Sequence, residues 1–244
     1  MKKYSSIIFW LCFLIIWQIT KDFNILPQYI IPSPKEIFLA FIKNYSNLIF
    51  HTKITLIETF LGLFFGIIIA CILAFVMNKF ELIYKIIYPF FIVLQTIPTI
   101  AIAPILVLWL GYNMLPKIVL ITITTIFPIL INVLDGLKNI DKDYITLLKT
   151  MNANDRQILW HYKIPCTLPY FFSGLRVSVS YSYISAVVSE WLGGFEGLGV
   201  YMIQSKKLFM YDNMFAIIVL ISTLSLISIK ITKIIEKLIC KWRE

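Results

Sequence analysis

Six stretches of this chain approach the roughly 20 consecutive apolar residues that a helix needs to cross a hydrocarbon layer about 30 Å thick. They cover 4–20, 54–77, 83–110, 118–134, 171–192 and 214–229. With 59% of its 244 residues hydrophobic and only 14% charged, the chain carries more apolar surface than a water-soluble domain covers. In lipid every backbone amide must be satisfied internally, and long apolar runs achieve that as helices. The expected fold is therefore all-α: one polytopic transmembrane domain over 1–244, with six spans, in the cell (plasma or inner) membrane. The first run follows Met1-Lys2-Lys3 and closes in Trp17-Gln18-Ile19-Thr20-Lys21 without a small-x-small cleavage site, so it reads as a retained span rather than a secretory signal.

The formal charge of +9 does not point to nucleic acid, because the basic residues flank apolar runs instead of forming one soluble patch. Placing the N-terminus in the cytoplasm puts 15 of the 22 Lys and Arg on the inner side and 7 on the outer. The positive-inside bias then sets both termini in the cytoplasm.

Two segments outside the spans carry structure. On the outer side, Leu26-Pro27 precedes Pro32-Ser33-Pro34-Lys35-Glu36. Ser33 is an expected N-cap, Pro34 a first helical residue and Glu36 the partner of a capping box. Ile37, Phe38, Phe41, Tyr45, Leu48 and Ile49 give the following piece an apolar face for the outer surface, and a plain connector fits the periodicity equally. On the inner side, 135–170 is the longest polar insertion. It reads as a helical hairpin, one helix over 144–151 and another over 154–161, with Asn154 and Gln157 as an N-cap pair. The corner falls at Asn152, a residue type that tolerates the left-handed conformation. Pro165 and Pro169 are expected to stop the second helix.

Within the spans, Gly62, Gly66, Ala70 and Ala74 recur every four residues, a stripe that lets another backbone approach, inside one subunit or between two. The third span holds Pro89, Pro98 and Pro104 with Gln95, Thr96 and Thr99, and should kink, either to line a path or to pack. Glu58 and Arg176 lie near span ends, where long side chains reach the interface. Ser189 and Glu190 close a polar run in the fifth span (Ser178, Ser180, Tyr181, Ser182, Tyr183, Ser185). That run serves an aqueous route or bonds its own backbone.

Chemistry is sparse. There is no phosphate-cradling G-x-x-x-x-G-K-[S/T] loop, His51 and His161 fall in different compartments, and no catalytic set or metal cluster emerges. Cys12 and Cys71 lie in apolar runs, while Cys166 and Cys240 lie on the cytoplasmic side, so no disulfide framework is implied. No catalytic residue and no metal site is expected.

The hairpin, the proline-rich third span and the Gly197-Leu198-Gly199 turn together resemble the permease subunits of binding-protein-dependent ABC importers. The similar branch is the one for nitrate, sulfonates, taurine and thiamine precursors. Matching features are Leu26-Pro27 with Pro32-Ser33-Pro34, the run Ile97-Pro98-Thr99-Ile100-Ala101-Ile102-Ala103-Pro104 leading to Trp109-Leu110-Gly111, and Pro169-Tyr170-Phe171-Phe172-Ser173-Gly174-Leu175-Arg176. The family's loop of the form E-A-A, three residues, G, nine residues, I-x-L-P maps onto Thr146-Leu147-Leu148, Asn152, Tyr162 and Ile164-Pro165. Its Glu and Ala positions are changed, and Glu58 stands where this branch commonly has arginine.

The resemblance implies a solute-translocating subunit that works as a homodimer with two copies of an ABC ATPase and an extracytoplasmic solute-binding protein. The chain itself binds no cofactor; ATP and Mg²⁺ belong to the ATPase. Leu148, Met151, Asn152, Ala153, Asn154 and Asp155 are the expected ATPase contacts, and Gln95, Thr96, Thr99, Ser189 and Glu190 the expected path residues. The rival class is a self-sufficient secondary transporter or channel, which would show inverted repeats with paired broken helices. Little basic character within the spans favours a neutral heteroaromatic solute, such as a thiamine precursor or flavin, over a sulfonate or nitrate.

Overall fold

A computed structural model describes residues 2–23 and 31–243; the expected Leu26-Pro27 feature lies outside them. All regular structure among the described residues is helical. The order is α1 (Lys2–Asp22), α2 (Pro34–Lys43), α3 (Tyr45–Lys79), α4 (Glu81–Thr96), α5 (Thr99–Leu110), α6 (Met114–Lys138), α7 (Lys142–Thr150), α8 (Asp155–Ile158), α9 (Ile164–Gly193), α10 (Leu198–Lys207) and α11 (Tyr211–Ile239). Of these, α3, α6 and α11 are each long and apolar enough to cross a bilayer, and the bent pair α4–α5 makes a fourth candidate.

The frame is α6 held between α3 and α9. Gly62 admits this approach, since a Cβ there would come within 2.5 Å of Ile121. At Gly66 it would collide with Thr125, and Ala70 and Ala74 are fully buried on the same stripe. On the other side, a Cβ at Gly174 would lie 2.6 Å from the Pro128 carbonyl. Apolar contact gives little drive between helices in lipid, so hydroxyls and close packing carry the association. Thr122 donates to the Gly62 carbonyl at 3.1 Å and Ser178 to the Thr125 carbonyl at 2.8 Å. The small-residue stripe therefore packs within this chain.

Four expectations change. The third span is not one kinked helix: α4 and α5 meet at 102°. Only Pro98 breaks the chain, because Ile97 (ψ 123°) and Pro98 (ψ 128°) are both extended, while Pro89 and Pro104 stay inside helices. The residue before a proline avoids the α region, and Thr96 closes α4 by donating to the Val93 carbonyl at 2.7 Å. Second, the outer amphipathic piece ends at Asn44, so Tyr45, Leu48 and Ile49 belong to the long helix α3. The Ser33–Glu36 capping box forms with both of its bonds.

Third, Pro165 and Pro169 do not stop the hairpin's second helix. The chain runs from α8 through a π-helical turn over Leu159–Lys163 straight into α9. Pro165 falls just after the wider π turn, in the first turn of α9, and the bond lost at Pro169 is the one to the Pro165 carbonyl. Fourth, Glu58 does not snorkel, and Arg176 is held by an ion pair. Glu58 is buried against Lys117, and Arg176 pairs with Glu236 on α11. Close packing leaves Glu58 no way to water, whereas the Arg176 side chain keeps 31% of its surface exposed.

Candidate functional site

The hairpin is built by local caps. Asp141 accepts the Asp143 N–H at 2.8 Å to start α7. Its end is closed by Asn152 N–H to the Lys149 carbonyl and Ala153 N–H to the Leu148 carbonyl, both 3.0 Å, with Asn152 at φ 61°. Asn154 and Gln157 then exchange the two bonds of a capping box at 2.9 Å each. The corner is thus over-determined, a rigid elbow.

Between the two arms lies a groove of about 520 Å³ lined by Leu148, Met151, Asn152 and Ala153 together with Tyr144 and His161. Asn154 and Asp155 stand exposed at its rim. Tyr144, Leu147, Met151 and Trp160 present more than half of their surface to solvent, an unusual apolar display for a polar segment. At its root the hairpin is tied to the core, where Ile145, Tyr162 and Cys166 pack on the cluster that includes Val133, Leu137 and Ile140. Desolvation, followed by the nearby Cys166 and Asp141, holds the Tyr162 phenol above its ordinary range, so it stays neutral.

The break at Pro98 opens a smaller cavity of about 150 Å³, lined by Gln95 and Thr99 from the two half-helices, Thr124 and Phe127 from α6, and Tyr181 from α9. Thr96 is exposed beside it. No charged side chain borders it.

Ser189 and Glu190 sit elsewhere, buried at the end of α9. Glu190 is 1% exposed. One of its carboxylate oxygens accepts from Thr55 at 2.6 Å and the other from the Gly199 N–H at 2.5 Å. Thr55 in turn accepts the Leu198 N–H at 2.9 Å, and His51 Nδ1 accepts the Gly197 N–H at 3.1 Å. Three successive amides at the start of α10 are thereby satisfied by side chains of α3 and α9, the positive helix end facing a carboxylate. Gly197, at φ 123°, is required there, since a Cβ would strike the Glu190 carboxylate. Next to this node Lys117 pairs with Glu58 at 2.6 Å and donates to the Glu196 carbonyl at 3.3 Å. Of the polar run in α9, Ser178, Ser182 and Ser189 donate to backbone carbonyls and Ser185 to Thr124, while Tyr181 faces the cavity.

Sequence reasoning named the hairpin residues, Gln95 and Thr99 of the third span and Tyr181 in the polar run, and missed Thr55, Lys117 and Thr124. A buried lysine beside Pro116 in an apolar helix was the available signal for Lys117.

Residues 62–240 match the model of the binding-protein-dependent transport system inner membrane component family. The chain belongs to that family. It is 36% identical over 238 residues to the formylaminopyrimidine transport permease protein ThiX of Halalkalibacterium halodurans, spanning 97% of this chain and 95% of that one. It is 38% identical over 213 residues to a probable ABC transporter permease protein of Haemophilus influenzae, 87% of each chain. The fold is similar to that of the MetNI methionine ABC transporter in an inward-facing conformation, with TM-score 0.68 and 20% identity over 80% of this chain and 97% of the other. The permease is therefore a membrane-embedded transport subunit of an ABC importer.

Proposed function

We propose that this permease crosses the plasma membrane six times, with both termini in the cytoplasm, and that a homodimer encloses the solute path. The six apolar runs and the inner bias of Lys and Arg support that topology. Each copy presents its hairpin to one ABC ATPase, which holds ATP and Mg²⁺, and an extracytoplasmic binding protein delivers solute to the outer face. Closure of the two ATPases draws the elbows together. Because each elbow continues through the π turn into α9 without a flexible joint, the displacement reaches the helices beside the path, and the path alternates between outer and inner openings.

The observation that carries this reading is the hairpin itself. A rigid elbow exposes Leu147 and Met151 around a polar corner, with Tyr144 stacked on Tyr162 within the hairpin, and it is anchored to the core at its root. Gln95, Thr96 and Thr99 border the path at the break. Glu190 acts from behind it, by fixing the strap that leads into α10, and Ser189 bonds its own helix beside it. The solute is a small organic molecule, and the formylaminopyrimidine in the name of ThiX supports a neutral heterocycle.

Affinity purification of the tagged permease from membranes of its own host tests the coupling. An ABC ATPase is expected with the intact chain and absent when Met151→Glu places a charge in the hairpin groove. Undiminished ATPase with that variant would overturn the role of the hairpin.

A further inference from the structure

The small cavity at the Pro98 break and a larger one, about 660 Å³ at the cytoplasmic end of α6 and α9, involve the same two helices. They also involve the same face of each. On α6, Thr124 and Pro128 line the upper cavity, and Asn132, Asp135 and Asn139 line the lower one. Steps of four, four, three and four residues keep all five within one stripe of a helix. On α9, Tyr181 above and Ser173 and Tyr170 below are joined through the exposed Val177, again by steps of four, four and three. The two cavities, in line on one shared face, outline a common groove past the close contact of Gly174 with Pro128. From Thr124 to Asn139 it runs about 22 Å at 1.5 Å per residue, most of the depth of a bilayer core.

The charges along this groove are few. The upper cavity has none. The lower one has Asp135 and Arg176, and the Arg176 guanidinium is already paired with Glu236. Asp135 makes no ion pair among the described residues and is exposed. The groove therefore offers hydroxyl and amide groups, the aromatic rings of Tyr181, Phe127 and Tyr170, and one uncompensated carboxylate. A flat ring that donates hydrogen bonds meets stacking faces and acceptors there. A sulfonate or an inorganic anion meets only Arg176, already paired with Glu236, and must pass the carboxylate of Asp135.

We propose that the shared open face of α6 and α9 is the inner half of the solute path, and that Thr124, Tyr181, Asn132 and Asp135 are its solute contacts. They select an uncharged or singly cationic hydrogen-bonding heterocycle and reject anions. This rests on the permease reading above and adds the route and its charge selectivity.

Cysteine labelling of the complete importer in inside-out vesicles tests it, on a Cys166→Ser background because Cys166 lines the lower cavity. Thr124→Cys, Ser173→Cys and Tyr181→Cys are treated with two methanethiosulfonates, one bearing trimethylammonium and one sulfonate, with rates normalised to Lys142→Cys on the exposed start of α7. All three positions should react. At Ser173→Cys the cationic reagent should be about tenfold faster, the effect of one nearby charge at intermediate dielectric, and Asp135→Asn should cut that preference to about twofold or less. Ser173→Cys changes a single atom, so it reports even if Tyr181→Cys fails to assemble. Unreactive Thr124→Cys and Ser173→Cys beside a reactive Lys142→Cys would overturn the proposal, as would equal rates for the two reagents. Absence of the ATPase from the purified complex would strike the permease reading instead, and the labelling pattern would still decide the groove.

Discussion

Replacing Lys117 by Met isolates the energetics of the buried charge node. Glu58 and Lys117 are 1% and 5% exposed and 2.6 Å apart, and the second oxygen of Glu58 has no hydrogen-bond partner. Removing the ammonium strands a carboxylate in the packed interior beside Glu190, a loss of about 3–5 kcal/mol. At about 2–4 °C per kcal/mol for a chain of this size, the melting midpoint in detergent should fall by about 6–20 °C. The double variant Glu58→Met with Lys117→Met removes both charges and should recover most of that loss, since an apolar replacement of a buried pair is often neutral. A residue of about 1 kcal/mol should remain, because Lys117 also donates to the Glu196 carbonyl. Fluorescence-detected size exclusion after heating gives all three midpoints. A Lys117→Met midpoint within 2 °C of wild type would refute the assignment of this pair as desolvated and mutually dependent.

Other perturbations follow from the same contacts. Asn152→Val forces a β-branched residue to φ 61° at the elbow, costing about 1–2 kcal/mol locally, and should reduce ATPase recovery in pull-downs, while Asn152→Gly should retain it. Glu190→Ala frees the Gly199 amide and the Thr55 hydroxyl at the start of α10. Limited proteolysis in membranes should then cut 194–197 faster than in wild type, with Glu190→Gln intermediate. Gly66→Leu drives a side chain into Thr125 on α6 and should cost several kcal/mol by overpacking, visible as loss of monodisperse protein, whereas Ala74→Gly should remain monodisperse.

How far the sequence speaks depends on how far apart the interacting residues lie. Ser33 with Glu36 and Asn154 with Gln157 act across three positions, so their caps were legible, and Asn152 carried its turn conformation in its own chemistry. The three prolines of the third span were all visible, yet only Pro98 breaks the helix. Two extended residues in succession decide that, and no local rule separates Pro98 from Pro89 or Pro104. Glu58 with Lys117 and Arg176 with Glu236 span 59 and 60 positions, distances at which position in a span suggests snorkelling and only packing shows a pair. The polar run of α9 divided in the same way. Ser178 and Ser185 became bonds to α6 and Ser182 a bond to its own backbone, while Tyr181, on the stripe of Ser178 and Ser185, lines the cavity beside Thr124.

The central claim, that the elbow is driven by a separate motor, is tested most directly by uptake into proteoliposomes. With the permease, its ATPase, its binding protein and ATP, the labelled heterocycle that the binding protein carries should accumulate inside against its gradient, and the permease alone should leave it equilibrated or excluded. Accumulation by the permease alone, without nucleotide, would contradict the account.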